Sequence, residues 1–185
     1  MSSAQVIRIG DRGPAAPRVA LNLPWYAIQT RARCEKKVAA QLARKGIEIF
    51  LPLIRQIHRW SDRRQVVEVP LFPGYGFVQL PPSAAFRLPV LQTAGVTGFV
   101  TMNGVPVLVP EQQISDVKCL METQIPCNPY PYIKSGQRVR IRGGCLDRME
   151  GILISDGAGE KLVVSLESIQ RSVSVHIEGY DIEPI

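Results

Sequence analysis

The sequence predicts an α+β fold, with an N-terminal α/β sandwich joined by a Pro-rich linker to a small five-stranded β-barrel. Three observations predict it. Residues 25–121 alternate strand-like and helix-like patterns around one hairpin, which suits a sheet with helices on one face. Prolines 126, 129 and 131 exclude continuous regular structure just beyond, and mark the best linker in the chain. From residue 135 onward, short alternating apolar segments separated by Gly-rich or polar turns run without a helical stretch, as in a small barrel.

Taken in order, "WYAIQT" at 25–30 is aromatic and β-branched and reads as a buried strand. Thr30 is positioned to cap a helix over "RARCEKKVAAQLARKG", where Cys34, Val38 and Leu42 fall four apart and Gly46 supplies a stop. "IEIFLPLIRQIHRW" and "RQVVEVPLFPGYGFVQL" read as two long strands joined by the turn "SDRR". A short helix in "PPSAAFRLPVLQT", a strand "GVTGFVT", a turn "NG", a strand "VPVLVP" and a helix "EQQISDVKCLM" with Ile114, Val117 and Met121 on one face follow. The expected boundaries are an arm at 1–24, a first domain at 25–121, a linker at 122–134 and a barrel at 135–185.

At 185 residues the chain is long enough for one good core, or for a core of about 110 residues plus a small second one. No run of eighteen apolar residues occurs, so no membrane span is expected. The first 24 residues lack a continuous apolar segment after a basic cluster, which makes a poor signal peptide. Cys34, Cys119, Cys127 and Cys145 have neither zinc-site spacing nor disulfide-scaffold density, so reduced thiols in a cytoplasmic protein are expected.

The net charge of +6 is unevenly placed. Residues 25–80 hold ten Lys/Arg against four Asp/Glu, whereas residues 81–185 hold nine against eleven. A nucleic-acid contact therefore belongs to the first half. Arg31, Arg33, Lys36 and Lys37 open the first expected helix, and Arg55, His58, Arg59, Arg63 and Arg64 flank the hairpin tip. Cations at a helix N-terminus oppose its dipole, so this cluster gains nothing for the helix and favours phosphate binding. Residues 70–77, "PLFPGYGF", carry three aromatic rings, two prolines and two glycines without a charge. Glycines in such a strand suit either a kinked core strand or a trough floor shaped for a partner.

Enzymatic chemistry is not visible. His58 and His176 lie more than a hundred residues apart with no positional partner, and "RGG" at 142–144 lacks the Gly-Lys-Ser/Thr ending of a phosphate loop. It reads instead as a turn needing positive φ, and no cofactor or metal is expected.

"WYAIQTRARCEKKVAAQL", "PLFPGYGFVQL", "LQTAGVTGFV", a proline linker and "GQRVRIRGGCLDRMEGILI", in that order, resemble the NusG family of transcription elongation factors over residues 25–185. The resemblance implies an NGN domain that binds RNA polymerase, followed by an SH3-like KOW barrel. "PLFPGYGFV" and "TRARCEKK" look closer to the specialised RfaH-like antitermination branch. By match to the family pattern, Trp25, Tyr26, Phe72, Pro73, Tyr75 and Phe77 form an apolar depression for the clamp helices of the largest polymerase subunit. Arg31, Arg33, Lys36, His58, Arg59 and Arg63 sit where specialised relatives meet the non-template DNA strand. Leu146, Met149 and Ile169 match KOW positions that meet Rho or a small-subunit ribosomal protein, or else simply fill the barrel. The resemblance implies a non-enzymatic factor, monomeric when free, that modulates pausing, termination and antitermination. The rival class is an RNA- or ribosome-associated protein that uses its KOW barrel without acting on polymerase.

Overall fold

The computed structural model describes residues 23–59, 64–123, 127–130, 132, 136–156, 159–177 and 179–185. The expected arm lies almost wholly outside these residues, as do Arg63 and the hairpin tip around it. In chain order the elements are β1 (Trp25–Thr30), α1 (Glu35–Arg44), β2 (Glu48–Phe50), β3 (Leu53–Arg59), β4 (Arg64–Pro70), β5 (Tyr75–Gln79), α2 (Ala84–Leu91) and β6 (Val96–Phe99). Then come β7 (Thr101–Met102), β8 (Val105–Pro106), β9 (Leu108–Val109), α3 (Glu111–Glu122), β10 (Cys127–Tyr130), β11 (Gln137–Arg142), β12 (Glu150–Asp156), β13 (Gly159–Leu166), β14 (Arg171–His176) and β15 (Asp181–Pro184). The described residues up to 51 form one compact unit with residues 73–111, and residues 52–72 form another with 112–185. No helix is long and apolar enough to cross a membrane among the described residues.

The first unit is an antiparallel sheet in the order β2-β5-β1-β6, with β9 also beside β1. Side chains alternate across a strand, so the register Tyr26↔Val78 and Ile28↔Gly76 puts these residues on one face. Val38 and Leu42 of α1 and Val90 of α2 pack there with Tyr26, Ile28, Val78 and Leu80. The helical spacing read from the sequence is what delivers Val38 and Leu42 to this core, both fully buried. Lys45 closes the far end, its Nζ donating to the Pro89 carbonyl and to Thr93 Oγ1, each at 2.8 Å. Asn103 and Gly104, with φ of 52° and 77°, make the β7–β8 turn that "NG" promised.

Two sequence expectations change here. The helix starts at Glu35 rather than after Thr30, with Cys34 at its cap. The Thr30 N–H is committed to the Gly74 carbonyl at 2.9 Å and the Arg31 N–H to that of Gly95 at 2.8 Å, while Arg33 has φ 63°. A helix cannot run through a positive φ, so residues 31–34 form a turn instead. The two long strands are also each broken. Pro52 separates β2 from β3, and the turn at 71–74 separates β4 from β5, leaving β3 and β4 as a separate two-stranded sheet.

The second unit contains that hairpin, α3 and a six-stranded antiparallel sheet in the order β10-β14-β13-β12-β11-β15. Five of these strands are the expected ones. The sixth, β10, lies in the proline-bearing segment that the sequence marks as linker, and Pro129 pairs there with Val173 in register. Because β10 is an edge strand, a proline without an N–H is tolerated there. Gly143 and Gly144 have φ of 77° and 70°, so "RGG" is the positive-φ turn expected of it. All four cysteines are free. Burial, then the nearby Cys145, Glu122 and Asp116, push the Cys119 thiol above its ordinary pKa and keep it protonated.

Candidate functional site

The opposite face of the first sheet is aromatic. The register Trp25↔Gln79, Ala27↔Phe77 and Gln29↔Tyr75 places Trp25, Phe77 and Tyr75 on it together. Phe50, paired with Phe77, joins them with ring centroids 6.1 Å apart. Phe50 went unnoticed in the sequence, although alternation along "IEIF" was the signal that could have found it. The site residues named from the sequence do not all share this face. Tyr26 points to the helix side, where Phe99 meets its ring edge-on at 6.1 Å and the Arg87 guanidinium lies 5.9 Å from its centroid.

Exposure then divides the set. Trp25, Tyr26, Phe72 and Phe77 are between 0% and 3% exposed. None of these rings is presented on the surface, because each is spent on packing within the chain. Pro73 is exposed and Tyr75 half-buried, so these two are the accessible members. Gly76 lies on the helix side, where an added Cβ would sit 3.6–3.7 Å from Ile49 and Ile28. Its missing side chain is room for the domain's own core and not for a partner.

The "PGYG" turn that carries Pro73 and Tyr75 is fixed from two directions. Gly74, with φ +82°, accepts from the Thr30 N–H at 2.9 Å through its carbonyl and donates its own N–H to Glu35 Oε1 at 2.9 Å. Glu35 is a carboxylate only 6% exposed, at the first position of α1, where the helix dipole favours negative charge.

Beside this turn stands the basic one. Arg31, Arg33, Lys36 and Lys37 are all exposed, with Arg31 and Arg33 in the turn before α1 and Lys36 and Lys37 in its first turn. A left-handed backbone at a non-glycine residue costs roughly 1–2 kcal/mol, and Arg33 carries that strain on the exposed rim. Arg33→Gly relieves that strain against the larger unfolded-state entropy of glycine, and is therefore expected to raise stability by about 1 kcal/mol or less, which urea denaturation checks. His58 and Arg59 lie on β3 at register with Gln65 and Arg64.

In the C-terminal unit, Leu146, Met149 and Ile169 are 0%, 3% and 5% exposed. They fill the interior, which favours the packing alternative over a partner-facing role. The arginines of "QRVRIR" are matched by carboxylates. Arg140 and Arg142 both reach Glu183, the latter at 2.6 Å, and Arg138 and Arg140 reach Glu150. The hydrogen bond from Arg142 holds the Glu183 carboxyl below its ordinary pKa, so the two carboxylates offset most of the charge of the three arginines here.

A helix-backed antiparallel sheet with an aromatic face and a basic turn, together with a second unit built mainly on a six-stranded antiparallel sheet, defines an α+β protein of two units. Residues 23–118 match the family model described as "Transcription termination factor nusG", and the chain belongs to this NusG family, whose members are transcription factors and not enzymes. Two curated relatives carry the name transcription termination/antitermination protein NusG. That of Borreliella burgdorferi is 25% identical over 181 residues, covering 87% of this chain and 98% of that one. That of Lactococcus lactis is 28% identical over 179 residues, covering 90% and 96%. A solved structure titled "Domain interaction in Thermotoga maritima NusG" superposes with a TM-score of 0.51 at 23% identity, covering 88% of this chain and 97% of that one, and supports the fold.

Proposed function

We propose that this NusG-family factor acts in the cytoplasm by binding RNA polymerase through the first unit and modulating pausing, termination and antitermination. The observation that carries the proposal is the family match over residues 23–118, which spans the whole aromatic sheet and its "PGYG" turn. Pro73 and Tyr75 offer the direct contacts to the clamp helices of the largest subunit. Trp25, Phe50 and Phe77 form the buried floor of the sheet face that Tyr75 shares. An aromatic anchor at the centre of an interface typically costs 2 kcal/mol or more on truncation. Tyr75→Ala is thus expected to weaken polymerase binding by about thirtyfold or more with the thermal transition unchanged. Wild-type affinity in a direct titration with core polymerase excludes this surface.

Arg31, Arg33 and Lys36, and separately His58, Arg59 and Arg63, are proposed as contacts to the non-template DNA strand. Phosphate contacts to single strands each contribute about 0.7 to the slope of log affinity against log salt. The double variant Arg31→Ala/Arg33→Ala is expected to lower that slope by about 1.4, and an unchanged slope removes these residues from the interface. The charge-balanced C-terminal unit suits a protein partner better than a phosphate backbone, and we assign it the recruitment of Rho or a small-subunit ribosomal protein.

A further inference from the structure

We propose that Glu35 is a positioning residue that sets the polymerase-facing "PGYG" turn and the DNA-facing basic turn in one geometry. The inference rests on the two binding surfaces proposed above. Glu35 is the sole acidic residue in the first turn of α1, and it sends its buried carboxylate away from its own helix to the backbone of Gly74, 39 residues on. Gly74 immediately precedes Tyr75 and follows Pro73, the accessible residues of the aromatic face. Its other side is held by Thr30, whose neighbour Arg31 opens the basic turn.

The surrounding bonds make this a closed knot. Thr30 donates to Gly74, Arg31 to Gly95 at 2.8 Å and Cys34 to Arg31 at 3.1 Å, so the whole loop from β1 to α1 is pinned by backbone bonds around one carboxylate. Gly95 approaches so closely that an added Cβ would lie 3.0 Å from Val38 Cγ2 and 3.2 Å from Cys34 Cβ. Within that knot Arg33 is kept at φ 63°. Strain of this kind persists only when the surrounding structure over-determines it. A charged acceptor forms a shorter and stronger hydrogen bond than a neutral one, and burial strengthens it further. A shift at Glu35 is therefore transmitted to both turns, because each is one bond away from Gly74.

The test uses the full chain and compares Glu35→Ala, Glu35→Gln and Glu35→Asp with Tyr75→Ala. Each is measured for hydrogen exchange at the Gly74 amide, for affinity to core RNA polymerase and for affinity to a labelled single-stranded DNA 12-mer, at a temperature where all are folded. Glu35→Ala is expected to lose Gly74 protection and to weaken both affinities by about tenfold, the equivalent of 1.4 kcal/mol. Glu35→Gln keeps an oxygen acceptor and is expected to restore Gly74 protection and both affinities to within about threefold of wild type. Should Glu35→Ala fail to fold, Glu35→Asp, one methylene short, is expected to show the same paired losses. Lost Gly74 protection with both affinities at wild type overturns the proposal, and so does weakening by Glu35→Gln as large as by Glu35→Ala. Failure of the polymerase surface itself is read separately, as wild-type polymerase affinity in Tyr75→Ala, with the DNA titration still deciding the role of Glu35.

Discussion

Gly151→Ala is expected to unfold the C-terminal sheet. Gly151 lies in β12, opposite Val139 of β11 and next to Ile152, which pairs with Val163 of β13. A Cβ built there falls 2.5 Å from the Val163 carbonyl oxygen and 2.9 Å from Leu162 Cγ. The first of these is backbone, which cannot step aside without opening the β12–β13 ladder. Overpacking in a well-packed interior costs about 1–3 kcal/mol even where side chains can yield. Here the ladder itself must part, and a loss of at least about 3 kcal/mol is expected. Urea denaturation read through backbone amide shifts of β12 and β13 measures it, and a midpoint shift equivalent to less than 1 kcal/mol contradicts the expected clash.

Phe72→Ala and Phe77→Ala are expected to destabilise the chain by about 3–5 kcal/mol each, the range for emptying a buried phenylalanine site. Both side chains are essentially inaccessible, at 2% and 0% exposure. The family pattern places Phe72 in an apolar depression for the clamp helices, where its truncation would be expected to cost binding and not folding. Burial reverses that expectation, since removing the ring leaves a cavity. Tyr75→Ala is the informative partner experiment, because Tyr75 lies on the same sheet face as Phe77 yet stays half-buried. The pair separates folding from binding. Chemical denaturation is expected to show a large loss for Phe77→Ala and almost none for Tyr75→Ala, and equal losses contradict the division of the face into floor and contact.

Family membership and the order of elements were legible in the sequence because they rest on local patterns. The four-residue spacing of Val38 and Leu42, the "NG" turn and the alternating C-terminal strands each encode their structure over a few neighbours. Elements that depend on a distant partner were not legible in this way. The α1 start moved to Glu35 because Gly74 and Gly95 take the N–H groups of Thr30 and Arg31. β10 emerged from a proline-rich segment because an edge position beside β14 tolerates a missing donor.

The chemistry of the candidate site divides along the same line. Sequence alone determined which residue types stand together: uncharged aromatics with glycines at 70–77, and a cluster of cations before the first helix. Only the tertiary structure decided which of them reach solvent. Alternation specifies that neighbours point to opposite faces, but not which face is covered, and so Tyr26 went to the helix side while Tyr75 remained accessible. The hydrogen bond from Gly74 to Glu35 joins residues 39 apart in the chain. No local pattern encodes a contact of that span, because its partners meet only when β5 pairs with β1 and α1 packs across them.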